Sequence, residues 1–318
     1  EVLRELPRLL RLRAGLRKRF VLERPTVLVG VDSPDFNLQL ETHVRAAGVP
    51  TVHYVSPSIW AWRRNRIEKI RRAADRVLLV FPFEQKIYDD AGIAADYVGH
   101  PLAREIPKEP EVSAARLRLG LAGSGPVVAV LPGSRRAEVE YIAPVFVGAI
   151  EHVVRAEPTV RCIVPAADAN LRARLAAMLQ ASSTARGCTT LVDGRSHDCL
   201  EAADAVLVAS GTATLEAALY KKPMVIAYRM PRLSWWIMRR MGYLPYVGLP
   251  NILAGEFVVP EFLQDAATPA ALGETLLKQL NDETLQRRLH DRFSAMHEQL
   301  ERDTPALAAD AIIRTMRR

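Results

Sequence analysis

The chain has 318 residues, 49% of them hydrophobic and 25% charged. That is enough for two domains with real cores, in the composition range of globular rather than disordered or fibrous proteins. Lys and Arg number 43 against 36 Asp and Glu, a net charge of +7, so anionic partners are expected: phosphates, nucleic acid or acidic lipid headgroups. The longest apolar runs are strand-length, too short for a bilayer-crossing helix, and no signal-peptide pattern is visible. Cys162, Cys188 and Cys199 form no CxxC pair and read as reduced thiols of a cytosolic protein.

The segment EVLRELPRLLRLRAGLRKRF opens the sequence. It reads as a helix with Leu3, Leu6, Leu10, Leu16 and Phe20 near one side and a dense arginine surface, kinked or started at Pro7. It is either an ordinary surface helix or an interfacial one that binds anionic lipid. Strands and helices then alternate. Strands are expected at Val27–Val31, Thr51–Val55, Arg76–Val80 and Ala95–Val98, with helices near 36–47, 63–74 and 84–91. Residues 106–125 are rich in Pro, Gly, Glu and Lys, and Pro107–Val112 reads as an interdomain linker. A second βα series follows, with strands at Val127–Leu131, Val160–Val164, Thr190–Val192, Ala205–Val208 and Met224–Ala227, and an all-helical tail from about Pro269. The rhythm is that of two α/β domains built on parallel, doubly wound sheets. In such sheets ligands sit outside the carboxyl ends of the strands, which leads to the expectation of a cleft between the domains.

Residues just after strands therefore carry the candidate chemistry. In Leu131-Pro132-Gly133-Ser134-Arg135, Gly133 permits close backbone approach, the helix start offers amide hydrogens to an anion, and Arg135 adds a bidentate phosphate contact. The other reading is a plain turn. Ala209-Ser210-Gly211-Thr212-Ala213-Thr214-Leu215-Glu216 repeats the logic for a diphosphate, with Glu216 set to accept from ribose hydroxyls or simply to offset the helix dipole. Asp32, at the end of the first strand, suits a general base, and Asp35 a helix cap. Ser56, Trp60, Trp62 and Arg63 suit a sugar, an acyl chain or a headgroup, or else form a buried aromatic pair. Trp235 and Trp236 lie in a segment both apolar and basic, either core or lipid contact. His53 and His100 read as structural or cleft-edge residues. HExxH, zinc-type Cys/His spacing, Walker GxxxxGK[ST] and G-x-S-x-G are all missing from the sequence, as are nucleic-acid motifs and an Asp-x-Asp pair at a strand end. A metal-free site that neutralises a leaving diphosphate with Arg135 and helix N-termini fits this pattern.

The runs VGVDSPDFN, HYVSPSIWAWR, VGHPL, LPGSRRAEVE, ASGTATLE and YVGLPNILAG resemble, in that order, the lipid-A-disaccharide synthase family across nearly the whole chain. The resemblance implies a glycosyltransferase B-type fold, with an N-terminal acceptor-side domain over 1–107, a UDP-sugar domain over 108–290, and helices over 291–318 crossing back. It implies a Gram-negative, cytoplasmic enzyme, peripheral on the inner face of the inner membrane. Its substrates would be UDP-2,3-diacylglucosamine and 2,3-diacylglucosamine 1-phosphate, bound at an anionic membrane surface without nucleic acid, metal or cofactor, by a monomer or a homodimer. Asp32 matches the proposed base. Ser134 and Arg135 match a diphosphate contact. Ser210, Gly211, Thr212 and Glu216 match the nucleotide loop, and Asn251 a nearby cleft position. The family's first βα turn, with a Gly-Glu-x-Ser-Gly-Asp motif, has no counterpart here, so the N-terminal domain is expected to be incomplete and the chain a fragment. The alternatives are another UDP-GlcNAc enzyme of this fold, such as a 2-epimerase or the peptidoglycan glucosaminyltransferase, and an inactive lipid-surface binding protein.

Overall fold

The computed structural model describes all residues except Glu1, Trp62, Arg63, Ala122, Ser124, Gly242, Tyr243 and Arg318. It gives side-chain surroundings for all the others but Val2, Leu3, Arg4, Arg64, Leu233, Ile237, Arg239 and Met241. The chain divides into two compact units, one formed by Glu1–Arg104 and Gln299–Arg318, the other by Glu105–Arg240 and Leu244–Glu298.

The first unit begins with α1 (Val2–Glu23), which runs through Pro7 without ending there, although a proline in the second turn forgoes one i→i−4 hydrogen bond. It continues through β1 (Leu28–Val31), α2 (Pro34–Ala46), β2 (Thr51–Tyr54), α3 (Ile67–Ala73), β3 (Arg76–Leu79), α4 (Glu84–Asp90), β4 (Ala95–Tyr97) and α5 (Pro101–Glu105). The strands form one parallel sheet in sequence order, β1-β2-β3-β4. Only part of the apolar side expected of α1 is packed: Leu16 and Phe20 lie against Leu40, Val44 and Val49, whereas Leu6, Leu9, Leu10 and Leu12 are exposed.

The second unit runs α6 (Val112–Arg118), β5 (Val127–Leu131), α7 (Arg136–Ala156), β6 (Arg161–Ala166), α8 (Ala169–Gln180), α9 (Ser183–Cys188), β7 (Thr189–Asp193), α10 (Ser196–Ala202), β8 (Ala205–Ala209), α11 (Thr212–Leu219), β9 (Met224–Tyr228), α12 (Arg232–Met241), α13 (Leu249–Ala254), β10 (Glu261–Leu263), α14 (Pro269–Asn281) and α15 (Glu283–Leu300). Its six strands are parallel in the order β10-β9-β8-β5-β6-β7. β5, β8 and β9 are almost entirely buried, as expected of strands covered on both faces. Val128, Val130, Leu207 and Val225 from the sheet meet Ile142, Phe146 and Ile150 of α7 and Leu272 and Leu276 of α14 in one core. The strand order runs outward in both directions from the β5–β8 pair, which makes that pair the topological switch point where such sheets open a crevice.

The chain then returns to the first unit through α16 (Thr304–Met316). Ala308, Ala311 and Ile312 pack with Val52, Leu78 and Val98 on the sheet. Tyr97 Oη donates to Gln299 O at 2.7 Å, and Arg76 Nε donates to Thr315 Oγ1 at 3.1 Å. Gly99, in the left-handed region at φ 88°, admits this close passage: a Cβ there would stand 2.7 Å from Arg302 Cβ and 2.9 Å from Leu300 O. No helix among the described residues is long and apolar enough to cross a membrane.

Candidate active site

In the second unit, the β5–α7 and β8–α11 turns lie side by side because their strands pair. Gly133, Ser134, Arg135, Ser210, Gly211, Thr212 and Glu216 line one pocket of about 330 Å³. Gly133 has φ 106°, reserved in practice for glycine, and Glu138 Oε2 would lie 3.0 Å from a Cβ there. The turn thus exposes backbone where a longer residue would project. Both helices point their N-termini at the pocket, and their unpaired amide hydrogens and dipoles favour an anion. The side chain of Arg135 is 81% exposed and pairs with Glu138 at 2.8 Å, so its guanidinium is accessible to an incoming phosphate. Glu216 is largely buried on the pocket wall, with His197 Nε2 at 3.6 Å from Oε2. Burial pushes its carboxyl above the usual range, and His197 opposes that shift.

The rest of the lining is invisible to motif reading. Pro165, Ala166 and Ala167 at the end of β6, with Gly194 and Ser196 after β7, add to the wall; small residues at strand ends carry no chemical signature. A supporting network was equally hidden. Glu261 on β10 accepts from Val247 N, Gly248 N and Asn251 Nδ2, each at 2.8 Å. Ser210 Oγ donates to Val247 O at 3.0 Å, and Leu249 N donates to Thr214 Oγ1 at 3.2 Å. Asn251, read from the sequence as a cleft position, is fully buried; its Oδ1 accepts from Val258 N and Val259 N while its Nδ2 also donates to Val259 O. Its polar atoms are engaged within the chain, and it anchors the segment behind the Ser210 turn instead of lining the pocket.

In the first unit, Asp32 follows β1 and is exposed. Its backbone continues the ladder for one residue, with N donating to Tyr54 O at 2.8 Å, and then turns left-handed: φ is 49° at Asp32 and 43° at Ser33. Asn37 Nδ2 holds this corner by donating to Val31 O and Asp32 O at 3.0 and 2.8 Å. Val55, after β2, has φ 73°, a conformation strongly disfavoured for a β-branched side chain. Strain of this kind gathers where a fixed geometry matters. Asp35 is not a side-chain cap; it pairs with Arg66 at 2.5 Å.

Beyond β2 and β3 lies an aromatic nest. Trp60 stands edge-on to Phe81 and Phe83, with ring centroids at 6.3 and 5.3 Å, and its Nε1 donates to Glu84 Oε1 at 3.0 Å. Ser56 Oγ is 2.8 Å from Tyr88 Oη. Trp62 and Arg63 lie outside the described residues. His100 packs on Phe81 and accepts from Leu102 N at 3.2 Å; burial lowers its pKa to about 4, so it is neutral and structural. His53 is wholly buried, with Nδ1 2.8 Å from Glu41 Oε1. In the second unit, Trp235 of α12 is half-buried, whereas Trp236 is 52% exposed with Arg240 stacked 3.6 Å from its ring.

Known proteins resemble this chain at two levels. In fold, it is similar to a putative UDP-N-acetylglucosamine 2-epimerase from Listeria monocytogenes (13% identity, TM-score 0.60, covering 94% of this chain and 76% of that one). It is equally similar to an α,α-trehalose 6-phosphate synthase from Burkholderia multivorans (13%, TM-score 0.60, 99% and 76%). At that identity the likeness concerns architecture alone, the glycosyltransferase B-type fold expected from the sequence. In sequence, it is 54% identical over 316 residues to a lipid-A-disaccharide synthase of Burkholderia pseudomallei, covering 99% of this chain and 81% of the relative. It is 52% identical to one of Burkholderia lata, with the same coverage. The family model for lipid-A-disaccharide synthetase matches residues 1–312. This chain belongs to the lipid-A-disaccharide synthase family of glycosyltransferases.

Proposed function

We propose that this glycosyltransferase moves the diacylglucosaminyl group of UDP-2,3-diacylglucosamine onto the primary hydroxyl of 2,3-diacylglucosamine 1-phosphate, giving the β-1,6-linked disaccharide 1-phosphate and UDP. The observation that carries the donor half is the pairing of β5 with β8, which sets two helix N-termini on one pocket at the switch point of the sheet. In this reading the amides after Gly133 and Gly211, with Ser134, Ser210, Thr212 and Arg135, hold the diphosphate and stabilise the charge that develops as UDP departs. Glu216 accepts from the ribose hydroxyls. On the acceptor side, Asp32 removes the proton from the attacking hydroxyl in a single inverting displacement. Ser56, Trp60, Trp62 and Arg63 contact the acylated acceptor.

Assay of UDP release and of sugar products, with acylated and non-acylated donors compared, tests the reading. Turnover confined to acylated donors is expected; equal turnover of plain UDP-GlcNAc would assign the chain to the other UDP-GlcNAc enzymes of this fold, which the family match does not favour. Glu216→Gln is expected to weaken UDP binding about tenfold, the usual scale for one charge-assisted hydrogen bond.

Both substrates carry acyl chains, so the reading includes docking at an anionic inner-membrane surface. Exposed Leu6, Leu9, Leu10 and Leu12 beside the arginines of α1, and Trp236 with Met238 on α12, support it. Co-sedimentation with phosphatidylglycerol vesicles is expected at low salt and should weaken at high salt; no binding at low salt would remove this part of the proposal.

A further inference from the structure

The proposed chemistry gives no task to the buried carboxylate of Glu84 in the first unit. Glu84 opens α4 and is 1% exposed. Its Oε2 accepts from Phe81 N at 3.1 Å, a helix-start bond that a glutamine would make as well. Its Oε1 accepts from the indole Nε1 of Trp60 at 3.0 Å, and that bond reaches out to a different loop. One turn along α4, Tyr88 Oη meets Ser56 Oγ at 2.8 Å. A single short helix therefore holds both ends of the Ser56–Trp60 loop by polar contacts.

The surroundings explain why the bond matters. Trp60, Phe81 and Phe83 meet through ring edges and faces. Edge-to-face contacts set how the rings meet, and the indole N–H bond adds a polar, directional constraint on Trp60. Burial pushes the Glu84 carboxyl up to about 7 even though Phe81, Ser56, Trp60 and Val80 bond to its ionised form. The other titratable or charged groups around it are Tyr88, Tyr97 with Arg302 over its ring, and neutral His100. A neutral amide would cap α4 without the desolvation cost of a carboxylate. Helix capping therefore does not account for the choice of an acid.

We infer that Glu84 is a positioning residue for the acceptor: its carboxylate sets the Ser56–Trp60 loop and thereby the orientation of the indole against which the acyl-glucosamine acceptor rests. The inference rests on the proposed acceptor contact of Trp60. Glu84→Gln turns an NH₂ group toward one of the two N–H donors, so one of those bonds is lost in any rotamer.

Steady-state kinetics with donor and acceptor varied separately test it. Glu84→Gln is expected to raise KM for 2,3-diacylglucosamine 1-phosphate about tenfold and to leave the donor KM unchanged. In the unsubstituted chain the acceptor KM should fall as pH rises through about 7, and in Glu84→Gln that step should be missing, leaving only the titration of the acceptor's own phosphate at about 6. Trp60→Phe removes the same bond from its other end, keeps the ring, and should reproduce the acceptor defect even if Glu84→Gln fails to fold. Equal changes in donor and acceptor KM, or an unchanged acceptor KM in Trp60→Phe, would overturn the inference. Trp60→Ala separates the two claims. A raised acceptor KM there with a silent Glu84→Gln defeats only the role of Glu84, whereas a silent Trp60→Ala defeats the acceptor contact itself.

Discussion

The carboxyl ends of the two sheets are built differently. In the second unit the strand-end turns use small residues and glycines at positive φ, at Gly133 and Gly194, so the pocket is walled by backbone and short side chains. In the first unit the turns after β1 and β2 are left-handed at Asp32, Ser33 and Val55, without glycine, and the space beyond them is filled by Trp60, Phe81, Phe83 and Tyr88. Backbone amides suit a diphosphate, whose charge and geometry are the same in every nucleotide sugar. Side chains suit an acylated sugar, whose recognition needs shape and a positioned base. Under the proposed function, the contrast puts more of the binding on backbone in the second unit and more on side chains in the first.

The comparison breaks first at Asp32. Asp32→Asn should keep UDP binding, measured calorimetrically, while turnover falls by roughly 10²–10⁴; undiminished turnover would remove the side-chain half of the contrast. Next is the charge buried in the first unit. The folded-state pKa of Glu84, about 7, lies above its ordinary value of 4.5. Its contribution to stability is therefore fully present below about 4.5 and is lost as pH rises through about 7, up to roughly 3 kcal/mol. Chemical denaturation from pH 5 to 8 should show this loss, and Glu84→Gln should flatten it. In the second unit, Gly248→Ala puts a Cβ 2.3 Å from Ile226 Cδ1 and 3.0 Å from Glu261 Oε1. The crowding should cost about 1–3 kcal/mol and lower Tm, with UDP affinity reduced alongside because the Val247–Gly248 segment backs the Ser210 turn. The smallest effect on stability is expected for Ser210→Ala, which removes the 3.0 Å bond to Val247 O: about 1 kcal/mol in denaturation, with UDP binding weakened alongside and acceptor KM untouched.

Much of this was legible in the sequence. Both βα series, nine of the strands and the two turns at Gly133 and Gly211 follow from apolar runs broken by small residues, because buried parallel strands leave that imprint. β10 escaped, since three residues with half-buried side chains have no period to detect. The five residues of α5 are too few to show a helical period, and the seven of α6 lie within the Pro- and Gly-rich stretch 106–125. The residues around the sites were harder still. Glu84 looks like any acidic residue in a first helical turn, and Asn251 and Glu261 become partners only when α13 and β10 meet. Burial and pairing across the fold are not local properties of a sequence.

The return of α16 to the first sheet has a consequence for biogenesis. The apolar patch of Val52, Leu78 and Val98 is covered by Ala308, Ala311 and Ile312, which leave the ribosome only after the whole second unit has been made. The patch on the first sheet is thus covered by α16 only at the end of synthesis. The helix that covers this patch acts as the final latch of the fold.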